Sequence, residues 1–357
     1  MNKRKFLRSA GLGVAAIGLS PFILQSCHSE KEENFKLWVW TGGDKPKEQW
    51  ESEFKTLRDF GFHGVLCGGG RKVLEKTVPI AQKHGLEIHS WMWVMNQPGN
   101  KEAQAHPEWY AVSREGHSSL DVRPYVDYYQ WLCPNKEEVQ EYLINRMLEV
   151  AQIDGLAGVQ LDYIRFCDVI LPKGLWAKYN LVQDHEMPPY DYCYCGTCRS
   201  KFKAQTGYDP LDLDDPSQDQ KWIQFRYDSI TNMVNMIAKE VHGINKKVSA
   251  SVFATPSRAR KLVRQAWDEW DLDFVFPMIY YDFYEENLDF VESGTREGVN
   301  AMKNKPVYTA QYLHNKTEED VKGMIDATKK GGAMGLAFYD YRLIKDEFFD
   351  IIKAMTA

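Results

Sequence analysis

Eight short apolar segments recur along this chain, and stretches whose apolar residues fall at helical spacing lie between them. The segments read "FKLWVW" from 35, "HGVLCG" from 63, "LEIHSWMW" from 86, "AGVQLDYI" from 157, "KVSASVFA" from 247, "DFVFPMIYY" from 273, "PVYTAQY" from 306 and "MGLAFYDY" from 334. Their shortness suits strands. The intervening stripes, such as Trp50, Phe54, Leu57 and Val139, Tyr142, Leu143, Met147, Val150, suit amphipathic helices packed on the outside of a sheet. No Ser/Gly/Pro-rich linker and no internal repeat divides them. This alternation predicts a single-domain (β/α)8 TIM barrel over residues 35–357, with its active site at the C-terminal strand ends and long loops after strands 3 and 4 covering that face.

The first residues, "MNKRKFLRSAGLGVAAIGLSPFILQSC", pass from a basic head through an apolar stretch to Cys27. Residues 1–26 read as a signal peptide, too short to be a membrane span. Their ending resembles a lipobox, which implies that Cys27 is lipidated and that the chain is an exported outer-membrane lipoprotein, on the periplasmic or the cell-surface face. The basic start also resembles a twin-arginine signal, with Lys3 in place of its first arginine. Residues 27–34 are polar and charged, as a solvated tether would be, and resemble the acidic segment of surface-exposed lipoproteins.

Losing Lys3, Arg4, Lys5 and Arg8 and no acidic residue would take the net charge from −6 to −10. An acidic domain without a basic run is a poor partner for nucleic acid or for an anionic membrane surface. Aromatic residues make up 13% of the chain, with 11 Trp and 19 Tyr, more than a core alone usually needs. Flat aromatic faces at a barrel mouth suit a carbohydrate substrate.

The segment "CYCGTCRSKF" from 193 puts Cys193, Cys195 and Cys198 within six positions. Three thiolates at that spacing suit one tetrahedral zinc and leave a fourth ligand to be found. Disulfides are the alternative in an oxidising compartment, and a catalytic thiol lacks a recognisable base beside it. Taken with "CPNKEEVQEY" from 133, the segment resembles the family-42 β-galactosidases, where a Cys-Pro-Asn cysteine and a Cys-x-Cys-x-x-Cys run close a structural zinc site. The resemblance implies Cys133, Cys193, Cys195 and Cys198 as ligands of one structural zinc. Four thiolates leave no open position, so such an ion would pin two loops together. Cys67 and Cys167 read as small buried apolar residues.

Chemistry therefore falls to the strand ends. In "GLAGVQLDYIRF", residues 155–166, Val159 and Leu161 alternate with Gln160 and Asp162. With the apolar pair facing the helices, Gln160 and Asp162 face the barrel interior, where an acid is costly unless it has a purpose or a partner. "LDYIRF" resembles the "LDYIRY" element of the glycoside-hydrolase-like barrels called family-10-like lipoproteins. That resemblance implies Asp162 as the principal catalytic carboxylate, with Tyr163 and Arg165 beside it. The likeness to family 42 stops here: Ile164 stands where that family has its acid/base glutamate, and Gln311 lies near the place of its nucleophile.

A glycosidase commonly uses two carboxyl groups. The candidates for the second are Asp282, after strand six, and Asp340, after strand eight. Trp40, Trp93, Tyr280 and Phe338 are the candidate stacking platforms. His89, Gln160 and Gln311 are candidate hydroxyl partners, and Arg165 joins them as a substrate contact. Two functions fit these residues: a glycoside hydrolase acting on poly- or oligosaccharides at the cell envelope, or a non-catalytic carbohydrate-binding surface lipoprotein using the same cleft.

Overall fold

The computed structural model describes residues 35–357. The expected signal peptide, Cys27 and the tether up to residue 34 lie outside the described residues. Each of the eight apolar segments forms a strand: β1 (Lys36–Gly42), β2 (Gly64–Gly68), β3 (Glu87–Trp93), β4 (Gly158–Asp162), β5 (Lys247–Phe253), β6 (Phe274–Met278), β7 (Tyr308–Tyr312) and β8 (Gly335–Tyr339). They pair in parallel in sequence order, and β8 closes on β1. Helices follow the strands in turn: α1 (Lys47–Asp59), α2 (Gly70–Lys83), α3 (Glu137–Ala151), α4 (Gln220–His242), α5 (Pro256–Val263), α6 (Leu288–Met302), α7 (Glu318–Lys330) and α8 (Asp346–Thr356). The predicted (β/α)8 barrel is therefore the fold. Among the described residues, no helix is long and apolar enough to cross a membrane.

Strand alternation sorts the side chains into two cores. Leu37, Val39, Val65 and Ile88 point outward against the helices, where the α1 stripe Trp50, Phe54 and Leu57 meets them. Trp38, Trp40, Phe276 and Tyr308 fill the barrel itself, with ring centroids 5.4–5.7 Å apart. Such large rings need room. A Cβ on Gly64 would meet the Trp38 ring at 2.4 Å, and one on Gly158 would meet His89 at 2.7 Å, so glycine at these two strand starts lets aromatic rings pack the floor.

The same alternation corrects two expected contacts. On β7 and β8 the inward residues are Tyr308, Ala310, Ala337 and, at the mouth, Tyr312 and Tyr339. Phe338 belongs to the outer layer, where its ring lies 6.2 Å from that of Phe62, so it is not a sugar platform. Gln311 has the parity of Thr309, whose hydroxyl bonds Thr295 on α6, and it is buried on that outer side rather than offered to a ligand. On β8 both faces are apolar, so Phe338 could face either way, whereas β7 inverts the usual pattern by turning its polar residues, Thr309 and Gln311, outward.

Candidate functional site

A cavity of about 270 Å³ opens at the C-terminal ends of the strands. Its walls come from strand ends and from the two long excursions, residues 94–136 and 163–219, which supply among others Tyr128, Tyr129, Tyr163 and Tyr179. Asp162 is part of this lining, at the last position of β4. Two donors fix its carboxylate: Trp91 Nε1 bonds Oδ2 at 2.8 Å, and the Tyr163 backbone N–H bonds Oδ1 at 2.7 Å. The second bond depends on a left-handed turn at Tyr163, φ 51°, a conformation that costs a non-glycine residue about 1 kcal/mol. Burial pushes the Asp162 pKa above the ordinary carboxylate range, and the two donors and Arg165 oppose it without cancelling it.

Arg165 does not pair with Asp162. Its Nη1 meets Asp168 Oδ2 at 3.1 Å, its Nη2 meets the Tyr129 hydroxyl at 3.1 Å, and that hydroxyl donates to Asp168 at 2.9 Å. The rings of Trp131 and Phe253, each 4.9 Å from the guanidinium carbon, complete the enclosure. Arg165 thus lines the cavity as expected, but as half of a closed ion pair. Sequence reasoning missed Asp168, which pairs with Arg165 three residues earlier in an irregular loop where no helical spacing signals the contact. It also omitted Trp91 and Tyr339 from the site. Trp91 has the parity of Trp93, and correct parity on β8 would have pointed to Tyr339.

Trp40, Trp93 and Tyr280 line the cavity as expected. Trp93 forms part of a rim platform, 4.5 Å from the Tyr163 ring and 5.8 Å from that of Tyr128, which is 42% exposed. His89 and Gln160 do not reach it. His89 is buried in the barrel against Trp38 and bonds Glu87, and Gln160 is buried with its amide on Ser251, so both are filling rather than hydroxyl partners. Neither expected second carboxylate lines the cavity. Asp282 turns outward, its side chain 56% exposed and paired with Lys316. Asp340 caps the turn that follows β8 and binds Arg342 at 2.6 Å. Both fell on wrong parity or beyond the strand, where aspartate serves the next turn.

The four cysteines converge behind this wall. Cys133 Sγ lies 3.6 Å from Cys195 and 3.4 Å from Cys198, and all four sulfurs, Cys193 included, lie within 4.8 Å of one another. They are buried and free of disulfides. Zinc–sulfur bonds of about 2.3 Å in a tetrahedron separate sulfurs by about 3.8 Å, so the arrangement is one able to hold a metal ion. The Val112 N–H points at Cys193 Sγ at 3.4 Å and Asn135 Nδ2 at Cys198 Sγ at 3.3 Å, donors that suit thiolates. The cluster ties the excursion after β3, through Cys133, to that after β4. A buried ionic group, Asp191 with Arg226 and Glu186 with Arg264, holds the second excursion to α4 and to the end of α5. Cys67 and Cys167 are buried apart from the cluster, the Cys67 thiol pushed up to about 12 by burial.

A family model described as "Putative glycosyl hydrolase domain" (DUF4015) matches residues 76–335. No curated protein matches the chain by sequence. Among solved structures, a β-galactosidase from the psychrophilic Marinomonas ef1 superposes with a TM-score of 0.62 at 12% identity, over 90% of this chain and 59% of its own. This chain therefore spans less than two thirds of that enzyme. The catalytic domain of a β-amylase from Paenibacillus polymyxa gives 0.58 at 10% identity, over 89% and 95%. A class V chitinase from Pseudomonas fluorescens Pf-5 gives 0.53 at 10% identity, over 91% and 100%. At such identities the likeness is one of fold.

Proposed function

The chain belongs to the DUF4015 glycosyl hydrolase domain family, and on that premise we propose that it hydrolyses O-glycosidic bonds of poly- or oligosaccharides at the cell envelope, with Asp162 as its principal catalytic carboxylate. The observation that carries this reading is the state of Asp162: a half-buried carboxylate that lines an aromatic cavity, fixed by Trp91 and Tyr163, with no cation bound to it. Because burial raises its pKa, Asp162 holds a proton further toward neutral pH than a solvated carboxyl does, which suits a general acid. Trp40 and the Trp93–Tyr163–Tyr128 platform would stack sugar rings, and excluded water would strengthen every polar contact inside.

The same reading takes the four cysteines as ligands of one structural zinc and Cys27 as the site of a lipid anchor. Zinc would close the wall of the cavity by pinning the two excursions and would take no part in the reaction. Metal analysis should find one zinc per chain, and Cys195→Ser should lose it together with thermal stability. Full-length protein should partition with membranes, and Cys27→Ser should not.

One observation favours the second reading, a glycan-binding lipoprotein without turnover: neither Asp282 nor Asp340 accompanies Asp162 in the cavity. A broad glycan panel incubated with the full-length chain and with Asp162→Asn decides between them. Products from wild type alone support the hydrolase, whereas equal binding by both proteins with no product from either supports the binding protein.

A further inference from the structure

Among the described residues that line the cavity, the carboxylates are Asp162 and Asp168, and no histidine, cysteine or glutamate stands with them. Asp168 is 2% exposed and its Oδ2 is held by both Arg165 and Tyr129. Freeing it would leave the Arg165 guanidinium charged and unpaired inside an aromatic enclosure. The cavity phenols whose ionisation the Asp162 charge opposes are Tyr163, Tyr280 and Tyr339. Burial drives the ionisation of Tyr280 far above its ordinary range and that of Tyr339 up to about 12, and the hydrogen bonds to Asp162 come from Trp91 and the Tyr163 backbone, not from these hydroxyls. A phenolate nucleophile therefore has no base to make it. The usual pair of carboxylates flanking the scissile bond is missing its second member.

Taking the glycoside hydrolase reading as premise, we infer that the substrate brings its own nucleophile: the cavity serves a 2-acetamido-2-deoxy sugar, whose N-acetyl carbonyl oxygen attacks the anomeric carbon while Asp162 moves the proton. The lining suits that group. Met278, Phe253 and Trp40 offer apolar surface for its methyl, and the Tyr280 and Tyr339 hydroxyls can bond its amide.

In the first half of the reaction the carbonyl oxygen bonds to C1 as the C1–O glycosidic bond breaks. The bond's electron pair goes to the leaving oxygen, which takes the Asp162 proton, and a cyclic oxazolinium remains. In the second half a water oxygen bonds to C1, the Asp162 carboxylate takes a water proton, and the ring C1–O pair returns to the acetamido group. The sum is hydrolysis with retained configuration, and nothing is oxidised or reduced. One carboxyl group suffices because it acts as acid and then as base.

The test uses the full-length chain in detergent and 4-methylumbelliferyl glycosides of mono- and disaccharides in three matched forms: 2-acetamido, 2-trifluoroacetamido and 2-hydroxy. The inference expects turnover of the 2-acetamido form, a loss of roughly tenfold or more on fluorination because the carbonyl becomes a poorer nucleophile, a comparable or greater loss for the 2-hydroxy form, and no turnover with Asp162→Asn. Equal rates for all three forms, abolished by Asp162→Asn, would overturn the acetamido inference and leave the hydrolase reading standing. Binding of the series without cleavage of any member overturns both.

Discussion

The two ends of the barrel treat a half-buried carboxylate in opposite ways. At the floor, Glu87 opens β3 with Lys247 at 2.8 Å and the buried His89 at 2.9 Å. Burial alone would raise its pKa, but the hydrogen bond and charge of His89, joined by Lys247, hold it down to about 2. At the mouth, Asp162 ends the neighbouring strand with an indole and a backbone amide as its donors, and burial wins. One carboxylate is made comfortable for the sake of the fold. The other is left uncompensated, which costs stability and provides a proton where a ligand binds.

The contrast predicts a double dissociation. Asp162→Asn should fold and lose about 10²–10⁴-fold in turnover of whichever glycan the wild type cleaves, measured by product release. Glu87→Gln should retain turnover at a temperature where it is folded and lose about 2 kcal/mol of stability at neutral pH, where burial keeps His89 uncharged and Lys247 supplies the opposite charge. Because the folded pKa of Glu87 is depressed, its contribution is present above the unfolded value of 4.5 and disappears as pH falls towards about 2. The pKa of His89, lowered chiefly by burial, acts in the same sense, since stability falls as pH drops below its unfolded value of 6.5. Denaturant titrations of wild type and Glu87→Gln at neutral pH and near pH 3 should therefore converge at the acid end. A constant gap between them would mean that the floor carboxylate works by packing and not by charge.

The floor was harder to read than the frame around it. Strand and helix order followed from periodicity, since apolar segments and stripes such as Val139, Tyr142, Leu143, Met147 and Val150 obey local geometry. Asp162 was legible for the same reason: polar residues alternating with Val159 and Leu161 had only one way to face. On β8 inward and outward residues are both apolar, which hides the face of Phe338, and on β7 the alternation is inverted, with Thr309 and Gln311 outside and Tyr308, Ala310 and Tyr312 inside. His89 could not be told from a mouth residue, because nothing local says how far down a barrel a side chain sits. Asp168 and Trp91 act through partners distant in sequence, Tyr129 at 39 residues and Asp162 at 71, which no local pattern encodes.

A smaller effect sharpens the mouth alone. Trp91→Phe keeps an aromatic wall and removes the N–H that stabilises the ionised form of Asp162, so the carboxyl pKa should rise further. With Asp162 as general acid, the alkaline limb of the kcat/KM profile should move to higher pH. An unmoved limb would make the indole a packing residue only.

The smallest effect decides whether Asp162 is as uncompensated as its surroundings imply. Its folded pKa lies above the unfolded value of 3.8, raised by burial. Below 3.8 the group is neutral in both states and contributes nothing. As pH rises through that value, the unfolded chain ionises freely while the folded chain resists, so wild-type stability declines and remains lower at neutral pH. Asp162→Asn carries no charge and escapes that decline, although its single acceptor oxygen cannot serve both Trp91 and Tyr163, a loss of about 1 kcal/mol at every pH. The sign of the variant's net effect at one pH is therefore uninformative. The stability difference, Asp162→Asn minus wild type, should instead grow from acid to neutral pH in paired thermal melts. A difference that shrinks over that range would make Asp162 a second Glu87, a carboxylate the fold holds in its charged form, and would remove the basis for its role as an acid.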